Sequence, residues 1–255
     1  MSSDDHYASL GMYDFPALGP AQDAWWAGLA GHFSAAGFSN VPSALNRSVA
    51  DPYDVWLAPN LFFAQTCGYP LTHRLAGRVR LLGTPCYDAP GTAGASYRSL
   101  YIVRSDAKPG SLAMALSGRV AINARDSFSG WRVLSGLIEP ASTLVISGSH
   151  AKSIDLVRQG DADIAAIDCV SHALLGDVEP ARLAGTRVIE QSPLAPGLPY
   201  ITALGMGAPE VRAMIKAINN AFADPDLAPA RKTLRLAGFN VVALSDYIRT
   251  MTENE

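Results

Sequence analysis

Hydroxyl groups collect at a helix start in the middle of the chain. In the segment 121–136 a strand ends near Asn123 and a helix is predicted from about Ser129, so Ser127, Ser129 and Gly130 fall at its first turn. First-turn N–H groups lack partners within their helix, and the helix dipole adds positive potential there. Together with hydroxyl donors and a glycine that admits a ligand close to the backbone, this turn suits a phosphoryl group or another tetrahedral anion. An ordinary N-cap formed by Ser127 or Ser129 is the alternative.

A second helix start repeats this arrangement further along the chain. Residues 147–150, with the sequence Ser-Gly-Ser-His, precede a helix predicted to end at Gly160. His150 can donate to an anion from that position, or it can be a capping or surface histidine. Asp168 follows the next strand at its carboxyl end, where open α/β sheets place their ligands, and a helix cap is its alternative role.

Most enzymatic signatures are missing from the sequence. Ser127, His150 and Asp168 have the residue types of a hydrolase triad, but no G-x-S-x-G elbow accompanies them. Neither a G-x-x-x-x-G-K-[ST] loop nor a G-x-G-x-x-G turn indicates nucleotide binding. Cys169 and His172 lack the further ligands of a metal motif. We therefore expect a binding protein without catalytic residues, metal or cofactor, and an enzyme on this scaffold is a weaker alternative.

Composition limits the remaining classes. The 255 residues are 49% hydrophobic and 17% charged, with a mean hydropathy of +0.12, so a buried core is expected. A formal charge of −3 argues against nucleic acid and anionic membranes as partners. Three widely spaced cysteines do not suggest a disulfide framework. We also expect no membrane insertion and, from the acidic start of the sequence, no export signal in this chain.

Alternating strands and helices should position these residues. The N-terminal part predicts a strand at 7–13, a helix from Pro20 to Gly37, strands at 41–45 and 54–58, and a helix at 61–67. Later elements are a strand at 99–104, a helix from about Ser111, three further strand-to-helix units and a largely helical tail after Pro209. This pattern predicts an α/β fold with mainly parallel sheets.

The alternation breaks twice, near residues 90–105 and 190–205. A chain that enters a second lobe and returns would show two such breaks, and it would form a hinge and a cleft. We therefore predict a first lobe from residues 1–102 and 199–255, and an inserted second lobe from residues 103–198.

Two long segments resemble a known family. The stretches SLAMALSGRVAINARDSFSGW and VISGSHAKSIDLVRQGDADIAAID are similar to motifs of the phosphate, phosphite and phosphonate substrate-binding proteins of ABC transporters. These proteins have the type 2 periplasmic-binding-protein fold. Together with SPLAPGLPY, the resemblance covers about residues 98–205.

The resemblance implies two α/β lobes joined by crossover strands, with a small oxyanion held in the cleft between them. It also implies a periplasmic location and an ABC-transporter permease as partner, while the expected lack of an export signal leaves a cytoplasmic location as the alternative. We expect a monomer or weak dimer. Asp168 is the acidic candidate to meet an aminoalkyl group. A neutral or cationic heterocycle, such as a thiamine-precursor pyrimidine stacked on aromatic rings, is the alternative ligand. The residues predicted to bind the ligand are Tyr13, Asn60, Ser127, Phe128, Ser129, Gly130, Trp131, His150 and Asp168.

Overall fold

A computed structural model describes residues 6–108 and 111–252. The first part contains β1 (Tyr7–Ser9), α1 (Gly19–Ala35), α2 (Pro52–Trp56), β2 (Leu61–Gln65), α3 (Gly68–Thr72) and β3 (Val79–Tyr87). The middle part contains β4 (Ser96–Tyr97), β5 (Ser99–Arg104), α4 (Leu112–Leu116), β6 (Arg119–Ile122), α5 (Val133–Ser135), β7 (Thr143–Ile146), α6 (His150–Gln159), β8 (Ile164–Asp168), α7 (Cys169–Val178), α8 (Pro180–Leu183), β9 (Thr186–Gln191) and β10 (Ala195–Pro196). The last part contains β11 (Tyr200–Ala203), α9 (Ala208–Ala223), α10 (Ala228–Thr233), β12 (Leu236–Asn240) and α11 (Leu244–Thr252).

The chain forms two compact units. Within the described residues, unit 1 comprises residues 6–88 and 196–247, and unit 2 comprises residues 89–108, 111–195 and 248–252. The sequence placed the two changes of lobe at 102/103 and 198/199, and it assigned the whole C-terminus to the first lobe. In the structure the chain changes unit once more, within α11, after Tyr247.

Unit 1 is built on a five-stranded sheet with the order β1-β2-β11-β3-β12. Strands β1 and β2 are parallel, whereas β11 and β12 run antiparallel to their neighbours. Aromatic side chains from α1 pack on this sheet: the Trp26 ring lies 5.7 Å from the Phe63 ring, and Phe33 lies 5.3 Å from Phe62. Burial of these large rings anchors the helix to the sheet.

Unit 2 contains a second five-stranded sheet with the order β7-β6-β8-β5-β9. Strands β7, β6 and β8 are parallel, and β5 is antiparallel to both β8 and β9. The expectation of mainly parallel sheets is therefore wrong in detail. Strand β5 begins soon after the chain enters unit 2, and β11 begins soon after it returns to unit 1. Neither strand is joined by a helix to a preceding strand of its own sheet, and such a helix is what would make the two strands parallel.

The segment 41–67 differs most from its prediction. Residues 41–45 form no strand, residues 54–58 lie largely in helix α2, and residues 61–65 form the fully buried strand β2. Short apolar runs do not distinguish a buried strand from a helix, and capping decides here. Asp51 Oδ1 accepts a hydrogen bond of 2.9 Å from the Tyr53 N–H, and Pro52 occupies the first helical position.

This cap gives a first test. Replacing Asp51 with Ala should lower the free energy of unfolding by about 1 kcal/mol, since one first-turn N–H loses its acceptor. Asp51→Ser should retain most of the stability, because a serine hydroxyl also caps. Urea denaturation of the three proteins measures the difference, and equal stability of Ala and Ser variants would contradict the assignment of Asp51 as a cap.

The predicted helical tail is also interrupted. Helix α9 agrees with the expectation, with Met214 and Ile218 fully buried on its apolar stripe. Strand β12 then replaces the helix expected to continue toward Arg249, and it pairs antiparallel with β3. Pairing with a neighbouring strand is a tertiary effect that outweighs local helix propensity.

Candidate functional site at the carboxyl edge of the unit 2 sheet

The carboxyl ends of three parallel strands place the predicted residues of unit 2 along one sheet edge. Strand β6 lies between β7 and β8. Residues 123–130 follow β6, residues 147–150 follow β7, and Asp168 ends β8. Parallel strands end on the same side of a sheet, so these three loops adjoin at the usual ligand edge of an α/β fold.

The helix start after β6 is a short π-helix, Phe128–Arg132, capped by Ser127. Ser127 Oγ accepts a hydrogen bond of 3.1 Å from the Gly130 N–H. That amide is therefore already paired within the turn, and Ser127 fills the capping role that the sequence left open. The serines Ser127 and Ser129 are 7% and 3% exposed, so both residues are largely buried.

Ser129 joins this turn to the second predicted helix start. Its Oγ lies 3.0 Å from Nε2 of His150, and His150 is the first residue of α6. The loop before α6 is itself fixed to the end of β6, because the Gly148 N–H donates to the Asn123 carbonyl at 3.0 Å. Two segments that are 21 residues apart at this contact thus form one hydrogen-bonded group, and residues 123–130 and 147–150 are together called the cradle below.

His150 is held neutral at pH 7. Burial of the ring lowers the pKa of His150 to about 4, because the charged form loses its hydration. The backbone oxygen of Ala166 acts to raise this pKa, but it does not form a hydrogen bond with Nδ1. A neutral imidazole has one N–H donor, so the group can offer hydrogen bonds to an anion without a formal positive charge.

The other predicted residues of unit 2 take part mainly in contacts within the protein. Asp168 Oδ1 accepts hydrogen bonds from the Val170 and Ser171 N–H groups and caps α7. Phe128 is 4% exposed and helps to line a pocket of about 270 Å³ with Tyr101, Val133, Thr250 and residues 192–195. Trp131 is half-buried, with the Arg125 guanidinium 5.5 Å from its ring centre.

Tyr13 and Asn60 lie in unit 1. Tyr13 is 2% exposed and meets Tyr87 edge to face, with the ring centres 5.1 Å apart. Asn60 was expected to follow a strand, but it precedes β2, and its carbonyl accepts the Tyr7 N–H at 3.1 Å. That expectation is wrong because residues 54–58 lie largely in a helix.

Two polar residues with unpaired buried atoms, Asn123 and Thr66, were not among the residues predicted to bind the ligand. Asn123 follows β6 and has a buried amide oxygen without a hydrogen-bond partner. Thr66 follows β2 and is 0% exposed, and its buried hydroxyl also has no hydrogen-bond partner. Their position after a strand could have identified both, but the segment around Thr66 was predicted to be helical.

The Thr66 hydroxyl can be tested against that of Thr84. Both side chains are 0% exposed, but Thr84 Oγ1 lies 2.6 Å from the Tyr247 hydroxyl. Thr84→Val should lower the free energy of unfolding by about 1 to 2 kcal/mol, whereas Thr66→Val should leave it unchanged or raise it by up to about 1 kcal/mol. Chemical denaturation measures both changes, and equal losses would show that Thr66 is hydrogen-bonded in solution.

Two further properties bear on the kind of site. Among the residues that the structure describes, no group of three His, Cys, Asp or Glu side chains could hold a metal ion. Within residues 6–108 and 111–252, no helix is both long and apolar enough to span a bilayer.

Several solved structures share this fold at low sequence identity. PhnD1 from Prochlorococcus marinus, in complex with methylphosphonate, has a TM-score of 0.77 at 12% identity, covering 98% of each chain. A binding-protein component of an ABC phosphonate transporter from Pseudomonas aeruginosa has a TM-score of 0.76 at 15% identity, covering 97% of this chain and 84% of its own. A Xanthomonas citri protein bound to chloride ion has a TM-score of 0.74 at 15% identity, covering 99% and 96%. The fold is that of type 2 periplasmic binding proteins.

Comparison with protein families gives the assignment. No curated protein matches the sequence. The sequence profile described as "ABC transporter, phosphonate, periplasmic substrate-binding protein" matches residues 60–247. This range is most of the chain, and it includes both helix starts that the Ser129–His150 contact joins. The chain therefore belongs to the family of periplasmic substrate-binding proteins of phosphonate ABC transporters.

Proposed function

We propose that this protein binds a small tetrahedral oxyanion of the phosphonate class and delivers it to an ABC transporter. The observation that carries the proposal is the contact of 3.0 Å between Ser129 and His150, which joins two helix starts at the ligand edge of unit 2. Helix starts and hydroxyls supply donors for several oxygen atoms of one ligand. A net charge of −3 does not oppose this, since the donors act locally.

The proposed hydrogen-bond order begins at His150. Its Nε2–H donates to Ser129 Oγ, which directs the serine hydroxyl proton toward a ligand oxygen. A negative ligand strengthens both bonds of this chain, because hydrogen bonds to charged groups are stronger than those between neutral groups. Ser127 supports the turn as its cap, and the backbone of Phe128 and Ser129 presents first-turn amides.

The surroundings of Asp168 bear on whether the ligand carries an ammonium group. Asp168 Oδ1 accepts two amide N–H groups as the cap of α7, and the residue is only 1% exposed, so a ligand ammonium group has little access to this carboxylate. We therefore favour alkylphosphonate, phosphite or phosphate over an aminoalkyl phosphonate. The complex of PhnD1 with methylphosphonate supports this class of ligand.

A stacked heterocycle fits the described aromatic residues less well. Tyr13 is nearly fully buried, and the Arg125 guanidinium lies over one face of the Trp131 ring, 5.5 Å from its centre. The family consists of transporter binding proteins, not enzymes. We propose the same role for this chain, without turnover, in the periplasm and with an ABC permease as its partner. The roles of Tyr13, Asn60, Phe128, Trp131 and Asp168 in binding stay predictions.

Calorimetry tests the proposal directly. Protein freed of co-purified ligand by unfolding and refolding is titrated with methylphosphonate, phosphite, phosphate and 2-aminoethylphosphonate, with a thiamine-precursor pyrimidine as the comparison. We expect at least one of the first three to bind, and the pyrimidine to bind more weakly or not at all. Failure of all four anions to bind, or preference for the pyrimidine, would refute the proposed function.

A further inference from the structure

Asn123 has an unusual contact at the cradle. Its side-chain oxygen is buried, has no hydrogen-bond partner, and lies against the α-carbon of Gly130. A Cβ atom added at Gly130 would lie 1.9 Å from Asn123 Oδ1 and 3.3 Å from His150 Cε1. A larger residue at position 130 would therefore have to displace this amide. The missing side chain of residue 130 makes room for Asn123, which is a different role from admitting a ligand to the backbone.

The contact determines which end of the amide is available. An oxygen against a Cα–H group forms a weak attractive contact, whereas an NH₂ group in the same place would meet the Gly130 hydrogens with its own. Oδ1 therefore belongs on Gly130, and Nδ2, with two N–H donors, is the end that can serve a ligand. Gly130 follows Ser129, whose hydroxyl contacts His150, so the amide lies beside the Ser129–His150 pair.

We propose that Asn123 is a specificity-determining ligand of the anion, with Gly130 as the positioning residue that orients its amide. The inference rests on the proposed function and extends it to a residue outside the predicted set. Its neutral donor group selects an oxyanion and offers nothing to an ammonium group. The backbone of Asn123 is fixed independently by the bond from the Gly148 N–H, so changes in its side chain should leave the loop in place.

The decisive variant is Asn123→Asp. It keeps the shape of the side chain and an oxygen on Gly130, but it places a carboxylate oxygen where the NH₂ group was. Methylphosphonate and inorganic phosphate should bind about 100-fold more weakly at pH 8, because like charges face each other. The ratio of wild-type to variant affinity should fall to about 10-fold at pH 5, since a protonated Asp can donate again. The change in the ligand's own protonation between the two pH values affects both proteins and cancels in this ratio.

A double-mutant cycle tests the part played by Gly130. Asn123→Ala and Gly130→Ala should each weaken binding by about 10-fold, because the first removes the amide donor and the second displaces it. The double variant should bind no more weakly than either single variant, as expected for two changes that affect one contact. Melting temperatures of the ligand-free proteins check that all variants are folded.

The outcomes separate the two proposals. If wild type binds none of the anions, the proposed function and this inference both fail. If wild type binds methylphosphonate or phosphate but Asn123→Asp binds them equally well, or loses binding by the same factor at pH 5 and pH 8, the role of Asn123 is refuted alone. Additive losses in the cycle would refute the role of Gly130 in orienting the amide.

Discussion

Replacing Ser129 with Ala should weaken methylphosphonate binding about 50-fold. The variant removes a hydroxyl donor from a 3% exposed position, and a hydrogen bond to a charged group contributes about 1.5 to 3 kcal/mol. Each 1.4 kcal/mol corresponds to a factor of ten in affinity. The loss should be larger than for a surface serine, because no solvent can replace the donor at this depth. Calorimetry at constant pH and ionic strength measures it.

Ser111→Ala is the matched control. Ser111 Oγ accepts the Met114 N–H at 3.2 Å and caps α4, away from the cradle. Its loss should lower the free energy of unfolding by about 1 kcal/mol without changing affinity. Ser129→Ala should lower the stability by a similar amount, because His150 Nε2 loses its partner, but it should also weaken binding, and the affinity separates the two variants. Equal affinity of wild type and Ser129→Ala would show that Ser129 has only a structural role.

Stability should depend on pH through His150. In the unfolded chain a histidine titrates near pH 6.5, and burial lowers the pKa of His150 in the folded protein to about 4. Between these values the unfolded state binds more protons, so the free energy of unfolding falls as the pH falls from 6.5 toward 4 and is unaffected by this group above 6.5. Because the residue as a whole is half-buried, we expect the loss to be about 2 kcal/mol by pH 4.5.

His150→Gln isolates this contribution. The variant retains a side chain that can form hydrogen bonds but cannot titrate, and all other groups cancel in the comparison. Urea unfolding of both proteins at several values between pH 4.5 and 7.5 gives the two profiles. The wild type should lose about 2 kcal/mol more than the variant over this range. Parallel profiles would show that His150 is hydrated and titrates normally.

Much of unit 2 could be predicted from the sequence. Helix α4 begins after Ser111 and α6 ends at Gly160, as expected, since Ser111 caps the first turn and Gly160 adopts a left-handed conformation with φ of 81°. These signals are local, and capping and glycine chemistry act on neighbouring residues. The long motifs also placed the chain in its family.

The errors arose where local signals were ambiguous. Residues 61–65 are apolar throughout, a pattern that suits both a buried strand and a helix. Strand β2 has this form because β1 and β11 pair on either side of it, and β11 is more than 130 residues away in the chain. The residues near β2 in the sequence therefore do not show that it pairs with β11.

The sequence by itself determined the hydroxyl-rich helix starts, the histidine beside them and the α/β class. Tertiary structure decided how those groups are used: it paired the Gly130 N–H with Ser127, joined Ser129 to His150, and placed the Asn123 amide against Gly130. The physical reason is distance along the chain. A cap forms within four residues, whereas a shared cradle requires loops after separate strands to meet at one edge of a sheet, and strand order alone arranges that.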